Sequence, residues 1–179
     1  MAPADDLTFG ELVASDLVRY TGRTGPWWTA IPRGLGRPGL WATLVVRAQQ
    51  RLHARGSRRA AEMLRGLGLW WVGIDVAAGA RIGPGVWFEH PVGIVIGNGV
   101  VIGAGVTVAQ GVTLGVRHSD VAAPDDFPTI GDGAILGARS TVLGGVTVGA
   151  GAVVGAHTLV LHDVAPGTTV VGRTSAPHA

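Results

Sequence analysis

Hydrophobic side chains recur every six residues over much of this chain, a spacing that fits neither an α-helix nor an alternating strand. The pattern begins at Val76, slips by two residues between Ile94 and Ile96, and resumes at Ile130 after a longer gap that follows Leu114. Small or β-branched residues are common four positions after each marked residue. The marked residues are Val76, Ile82, Phe88, Ile94, Ile96, Ile102, Val108, Leu114, Ile130, Leu136, Val142, Val148, Val154 and Val160.

Each six-residue unit is interpreted as one short strand followed by a tight turn, and three units return the chain to its starting direction. We therefore predict a triangular coil of parallel strands, stacked on itself, with every marked side chain pointing inward. A flexible Gly-rich segment would show no such phase. Corner residues are predicted to supply the positive φ angles that tight turns require. They are Gly85, Gly97, Asn98, Gly99, Gly105, Gly133 and Gly151.

The first seventy residues follow a helical period instead. A short amphipathic helix is predicted at residues 9–20, and a Gly- and Pro-rich connector at residues 21–39. A second helix is predicted after the connector, with Arg47 and other polar residues away from its apolar face, and a third after a break at Gly56. The third helix should end around residues 66–71, where Trp70 and Trp71 are expected to cap the first coil and protect its open edge.

These patterns divide the chain into a helical region at residues 1–70, a coil domain at 71–172 and a tail at 173–179. The segment RHSDVAAPDDFPT, residues 117–129, is polar, contains two prolines and separates two well-phased repeats. It is therefore expected to leave the coil as an extruded loop. Loops of this kind often carry binding or catalytic groups, although a disordered surface insertion would have the same composition.

The composition narrows the function classes. The chain has 179 residues and no cysteine, which excludes disulfides, cysteine-based zinc sites and thiol nucleophiles. With no signal-peptide pattern and no long apolar run, a cytoplasmic protein without a membrane span is expected. All fourteen basic residues are arginine, and ten of them lie in residues 1–70 beside five acidic residues. A helix face rich in arginine can bind phosphate or nucleic acid. We favour the interpretation that this face is simply exposed to solvent, and we expect no nucleic-acid partner.

His90 is the residue most suited to chemistry within the repeats, because it interrupts a Val-, Ile- and Gly-rich coil. Asp75 lies fifteen residues earlier, less than one coil away, so its carboxylate is expected to reach the imidazole. A carboxylate that accepts from one ring nitrogen leaves the other nitrogen free as a general base. In an alternative interpretation the same two residues have only structural roles, His90 as a hydrogen-bonded corner residue and Asp75 as a capping residue. Only His118 lies in the loop, so we expect no three-histidine zinc site and no other metal.

Three segments together resemble the serine O-acetyltransferases, a family of left-handed β-helix acyltransferases built from hexapeptide repeats. The segments are GID at residues 73–75, HPVGIVIG at 90–97 and QGVTLG at 110–115, and the likeness extends over residues 73–172. The resemblance implies a mainly β fold, a left-handed parallel β-helix preceded by an α-helical region. It also implies O-acetyl transfer from acetyl-CoA to serine or a related small hydroxylated acceptor, with His90 and Asp75 as the catalytic dyad. Glu89 would help to hold the acceptor where the family usually has Asp.

The loop departs from the family pattern. Serine acetyltransferases typically carry an Arg-His pair before the proline that closes the loop, whereas this chain has Asp126 and Phe127 before Pro128. A carboxylate in place of a cation should repel a substrate carboxylate. A sugar hydroxyl or a specialised metabolite is therefore an alternative acceptor, and a non-catalytic trimeric scaffold is a further alternative. His118 is a candidate substitute for the missing histidine, and Asp126 and Phe127 complete the candidate acceptor site.

The resemblance also implies where acetyl-CoA binds. In the family, CoA lies in the groove between adjacent β-helices, against small coil residues that correspond here to Ala138 and Ala156. Gly115 belongs to the same candidate set, and Arg139 and Arg173 are candidates for the phosphates because a planar guanidinium suits phosphate. A groove shared by two chains implies a homotrimer, which N-terminal helices extend to a hexamer in the family. Association with a cysteine synthase is left open by the short tail.

Overall fold

The computed structural model describes residues 7–29, 31–32, 36–117 and 123–172, and these contain three α-helices and fourteen short β-strands. The helices are α1 (Phe9–Thr21), α2 (Pro38–Ala54) and α3 (Arg58–Trp71), with short 3₁₀ turns at Trp27–Thr29 and Pro124–Asp126. The strands are β1 (Ile74–Val76), β2 (Arg81–Ile82), β3 (Trp87–Glu89), β4 (Ile94–Ile96), β5 (Val101–Ile102), β6 (Thr107–Ala109), β7 (Thr113–Gly115), β8 (Thr129–Ile130), β9 (Ile135–Leu136), β10 (Thr141–Leu143), β11 (Thr147–Val148), β12 (Val153–Val154), β13 (Leu159–Val160) and β14 (Thr169–Val170).

The strands form three parallel sheets because, from β1 to β13, every third strand returns to the same face. Sheet A has the order β1-β4-β7-β10-β13, sheet B the order β2-β5-β8-β11, and sheet C the order β3-β6-β9-β12-β14. The chain therefore turns through A, B and C in succession and stacks each coil on the one before. This is the triangular parallel coil that the six-residue period predicts.

The inward direction of the marked residues is confirmed. All fourteen are at most 4% exposed. Within sheet A, Val76, Ile96, Leu114, Val142 and Val160 pair in register from coil to coil. Burial of this aliphatic column is the main source of stability in a fold whose strands are only two or three residues long.

The two-residue slip lies at one corner of the coil. Val76 pairs with Ile96, twenty residues later, whereas Ile96 pairs with Leu114, eighteen residues later. The extra residues lie between β3 and β4, in the turn that contains His90. The connection from Phe88 to Ile96 is therefore two residues longer than its equivalent from Val108 to Leu114, and His90 within it is exposed.

The glycine corners divide into two kinds. At the B–C corner the prediction of positive φ is confirmed, with φ between 66° and 70° at each of the stacked glycines, Gly85, Gly105, Gly133, Gly151 and Gly167. For Gly97, Asn98 and Gly99 the prediction is wrong, because none of them has positive φ. Instead the ring of Phe127 lies against this turn, and a Cβ on Gly99 would be 2.3 Å from Phe127 Cδ2. These glycines are needed for close approach and not for turn geometry.

Helix α2 covers the open edge of the first coil. Gln49 donates to the backbone oxygen of Val76 at 2.6 Å, and Gln50 donates to that of Ala80 at 2.7 Å. Ala42 and Val46 of the same helix belong to the hydrophobic core of the coil. Side chains of α2 thus satisfy edge carbonyls that no further strand pairs with. The domain boundary at residue 70 stays a prediction.

A buried ion pair completes this cover and corrects the expected position of Arg47. The Arg47 side chain is 1% exposed; its Nε lies 2.8 Å from Asp16 Oδ2, and it donates to the backbone oxygens of Ile82 and Gly83. Asp16 in turn accepts from the Gly85 N–H at 2.8 Å. Burial raises the pKa of Asp16, and the Arg47 guanidinium opposes that rise. Arg47 therefore lies in the core and not on a solvated face.

The expectation that Trp70 and Trp71 cap the first coil is wrong. Helix α3 continues through both residues, and they are 84% and 78% exposed. Trp71 stacks on Trp41 of α2, with ring centroids 6.4 Å apart. The edge they were expected to protect is already covered by α2. Over the residues that the structure describes, no helix is long and apolar enough to cross a bilayer.

Candidate functional site

The C–A corner brings together four of the predicted site residues. His90 lies between β3 and β4, Ala138 and Arg139 between β9 and β10, and Ala156 between β12 and β13. Backbone hydrogen bonds of 2.8–3.0 Å join successive turns along this corner. The residues therefore lie along one edge that runs parallel to the coil axis.

The backbone of this corner is strained at side-chain-bearing residues. Among the described residues, the non-glycine positions with positive φ are His90 at 50°, Arg139 at 57° and His157 at 56°. All three lie at the C–A corner. Left-handed conformations are unfavourable for residues with a Cβ and concentrate at functional sites. The strain singles out this corner among the three corners of the coil.

His90 is open to solvent in a single chain. Its residue is exposed, and its imidazole makes no hydrogen bond to another residue of the described segments. Glu89 is the last residue of β3 and is also exposed. Two consecutive residues, one with an imidazole and one with a carboxylate, are thus accessible at this corner and can contact a polar substrate.

Asp75 lies on the neighbouring strand but contacts a different residue. It is the central residue of β1 and pairs with Val95 of β4, the strand that follows the His90 turn. Its Oδ1 accepts a hydrogen bond from Arg65 Nε at 2.5 Å. No hydrogen bond joins Asp75 to His90 within the described residues. The dyad therefore stays a prediction, and the ion pair with Arg65 is a contact that the sequence analysis did not foresee.

Arg65 has no recognisable signal in the sequence. It belongs to an arginine-rich helical segment and lies ten residues before Asp75, with the end of α3 between them. The hydrogen bond from Arg65 to Asp75 raises the pKa of the guanidinium. Only the direction in which α3 leads into β1 brings the two side chains together.

The predicted acceptor residues of the loop lie on the other edge of sheet A. Phe127 packs against Gly97 and Gly99 at the A–B corner. The Asp126 carboxylate accepts from the Ala123 N–H at 2.7 Å and so closes the 3₁₀ turn before Phe127. In one chain these residues are separated from His90 by the width of the sheet. His118 and Arg173 lie outside the described residues.

Gly115 and Arg117 continue along the same A–B corner. Gly115 ends β7 and pairs with Leu143, so it does not belong to the C–A corner that holds Ala138 and Ala156. The side chain of Arg117 crosses Gly144 and donates to the backbone oxygens of Leu143 and Leu161. The start of the loop is therefore anchored to the coil by Arg117.

Two cavities of the chain lie away from His90. One, of about 370 Å³, lies between α1, α2 and the first coil, and the other, of about 390 Å³, lies on sheet B beside Phe127. Neither is lined by His90 or Glu89. His90 and Glu89 are exposed, and binding sites normally bury most of their ligand, so a small-molecule site around His90 would need another surface to enclose it.

Comparison with known proteins identifies similar sequences. Residues 127–162 match the family described as bacterial transferase hexapeptide (six repeats). A serine acetyltransferase of Helicobacter pylori is 38% identical over 135 residues, which cover 75% of this chain and 78% of that protein. Serine acetyltransferase 4 of Arabidopsis thaliana is 41% identical over 135 residues, or 75% of this chain and 38% of the plant protein. This chain thus matches about two fifths of the length of the Arabidopsis relatives.

Solved structures show the same architecture. A Neisseria gonorrhoeae serine acetyltransferase superposes with a TM-score of 0.82 at 31% identity, covering 98% of this chain and 67% of that one. The soybean serine acetyltransferase superposes with a TM-score of 0.79 at 34% identity, covering 90% and 65%, and has also been solved with serine. The predicted fold, a left-handed parallel β-helix of hexapeptide repeats after an α-helical region, is confirmed by this likeness.

Proposed function

This chain belongs to the serine acetyltransferase family, and we propose that it is an acetyl-CoA-dependent O-acetyltransferase acting on serine or a related small hydroxylated acceptor. The observation that carries the proposal is the C–A corner. It holds an exposed histidine on a strained backbone, in line with two small residues, Ala138 and Ala156, on later coils. A nucleophilic hydroxyl needs a general base, and a long pantetheine arm needs an edge without bulky side chains.

In the proposed reaction His90 acts as the general base. Its free ring nitrogen takes the proton of the acceptor hydroxyl while that oxygen attacks the thioester carbonyl. The carbon–sulfur bond then breaks, and the imidazolium returns the proton to the departing thiolate of CoA. Asp75 supports the imidazolium through its carboxylate. No covalent enzyme intermediate is required, and general-base assistance of this kind contributes about 10²–10⁴-fold to the rate.

The donor groove is proposed along the C–A corner. The Arg139 side chain lies directly against Gly111. A Cβ built on that glycine would be 2.8 Å from Arg139 Cγ. This brings the exposed guanidinium toward the turn of the preceding coil, where it can pair with a phosphate of CoA. Because the edge is open in one chain, we propose a homotrimer in which the neighbouring β-helix forms the second wall. The N-terminal helices would extend it to a hexamer by analogy with the family.

The acceptor site is proposed to combine Glu89 with loop residues of the neighbouring chain. Within one chain Asp126 and Phe127 lie across sheet A from His90, so they could reach an acceptor only through a shared groove. Asp126 stands where the family usually has a cation, and this favours an uncharged polyol or sugar hydroxyl as a second candidate acceptor. The two candidates differ in whether the acceptor carries a carboxylate.

The proposal is tested by following thiol release from acetyl-CoA with serine, homoserine and a panel of sugars. His90→Ala should abolish turnover while the assembly remains intact by gel filtration, and Asp75→Asn should lower turnover. His162→Ala is the matched control, since His162 is an exposed histidine in a late turn. Full activity of the His90→Ala protein would exclude the general-base role. Absence of acetyl-CoA binding by calorimetry would favour a non-catalytic scaffold.

A further inference from the structure

The ion pair between Arg65 and Asp75 joins the helical region to the proposed dyad. Arg65 Nε donates to Asp75 Oδ1 at 2.5 Å, and its Nη1 lies 3.5 Å from Glu62 Oε2, one turn earlier in α3. Among the described residues, Asp75 Oδ2 has no hydrogen-bond donor. One carboxylate oxygen of Asp75 is therefore bound to Arg65, and the other is available to accept a hydrogen bond.

Helix α3, which carries Arg65, packs against β1, the strand that contains Asp75. A Cβ on Gly68, three residues after Arg65, would lie 3.2 Å from Val45 Cγ1 and 3.6 Å from the backbone oxygen of Ile74. Helix α3 is thus tightly packed against Val45 of α2, and it lies within van der Waals distance of β1. The backbone that carries Arg65 is therefore held close to β1, the strand that contains Asp75.

We propose that Arg65 is a positioning residue for the catalytic carboxylate, an inference that rests on the proposed acetyltransferase function. The carboxyl torsion of an aspartate is broad and roughly two-fold, so a partly exposed Asp75 would rotate freely without a partner. Arg65 holds one oxygen and leaves the other to accept from the imidazole of His90. Its effect on the reaction passes through Asp75, because among the described residues it makes no hydrogen bond or ion pair with His90 or Glu89.

A competing role makes the opposite prediction. Arg65 could withhold Asp75 from His90, since a carboxylate shared with a guanidinium is a weaker acceptor for a second donor. Removal of Arg65 would then accelerate turnover. The sign of the change in kcat separates positioning from competition.

The test uses steady-state kinetics of the full chain with the best acceptor from the thiol-release panel. Arg65→Gln should lower kcat by about tenfold, as loss of an orienting outer partner commonly does, and leave the KM for acetyl-CoA within about twofold. Arg65→Lys should recover part of the rate, because it keeps the charge but loses the planar donor. Arg59→Gln is the matched control, an exposed arginine of the same helix without an ion pair in the described structure.

A double-mutant cycle separates positioning from a merely structural effect. In the Asp75→Asn background, Arg65→Gln should cause no further loss of kcat, because its only route to the reaction has been removed. Melting temperatures of the Arg65 variants should stay within about 2 °C of the wild type, as expected for a partly exposed ion pair.

Three results would overturn the inference while leaving the acetyltransferase function in place. They are an unchanged kcat in Arg65→Gln, an increased kcat, and an equal further loss in the Asp75→Asn background. A wild-type protein that releases no thiol with any acceptor would overturn the proposed function itself, and this inference with it. Thiol release by the wild type, measured in parallel, therefore distinguishes the failure of one from the failure of the other.

Discussion

Replacing Arg47 with methionine should destabilise the protein more than any surface substitution, because Arg47 links α1, α2 and the first coil. Its guanidinium donates to both carboxylate oxygens of Asp16, at 2.8 and 3.2 Å, and to the backbone oxygens of Ile82 and Gly83. Methionine fills much of the same volume but donates no hydrogen bond. The substitution therefore leaves a buried carboxylate without its cation and two edge carbonyls without donors.

The magnitude follows from the burial of both partners. Asp16 and Arg47 side chains are 0% and 1% exposed, and breaking a buried ion pair by removing one partner costs about 3–5 kcal/mol. Asp16→Asn should cost less, about 1–3 kcal/mol, because Arg47 keeps its two backbone acceptors. The double substitution should cost less than the sum of the single ones by more than about 1 kcal/mol.

The loss of unfolding free energy caused by Arg47→Met, called the deficit below, should also depend on pH. Burial raises the pKa of Asp16 above the ordinary value of 3.8, and the Arg47 guanidinium lowers it in turn. Loss of Arg47 therefore raises this pKa further. A carboxyl whose pKa is higher in the folded state loses its stabilising contribution as the pH rises, so the Arg47→Met deficit should be smallest near pH 4 and grow toward pH 8.

Urea unfolding followed by circular dichroism, at a fixed protomer concentration, measures these changes in free energy. Amide hydrogen exchange should show reduced protection in β1 and β2, whose edge α2 covers. Arg55→Met is the control, because Arg55 is exposed at the end of α2 and should change stability by about 0.5 kcal/mol or less. An Arg47→Met deficit below about 1 kcal/mol would refute the structural role of the pair.

Other predictions concern the cover of the coil and its glycines. Burial raises the pKa of Tyr20 to about 12, so stability should fall between pH 10 and 12 by on the order of 2–3 kcal/mol, and urea midpoints of Tyr20→Phe should lack that dependence. Gly99→Ala should lower the melting temperature because its Cβ would meet the ring of Phe127, and Phe127→Ala should relieve part of that loss; additive losses would contradict the contact. Trp70→Ala should change the free energy of unfolding by about 0.5 kcal/mol or less, since Trp70 is 84% exposed; a larger loss would mean that the residue is covered in solution.

The sequence alone determined the coil, because a repeat with three strands per turn imposes its period directly on the residues. A marked position must be apolar in every coil, so fourteen positions report the same constraint. The C–A corner could be predicted in the same way, since the slip and the histidine occur together in one turn. The helix at residues 9–20 was predictable because its capping residues Thr8 and Glu11 and its apolar face are local in sequence.

Only the tertiary structure decided which helical residues meet the coil. Arg47 has the sequence character of a solvated residue, yet it is buried because the unpaired carbonyls of the first coil need donors. Trp70 and Trp71 were expected to form a cap but are mostly exposed at the end of α3. The contact between Arg65 and Asp75 depends on the angle at which a helix enters a sheet. Contacts between a helix and a coil have no period, so a hexapeptide pattern carries no information about them.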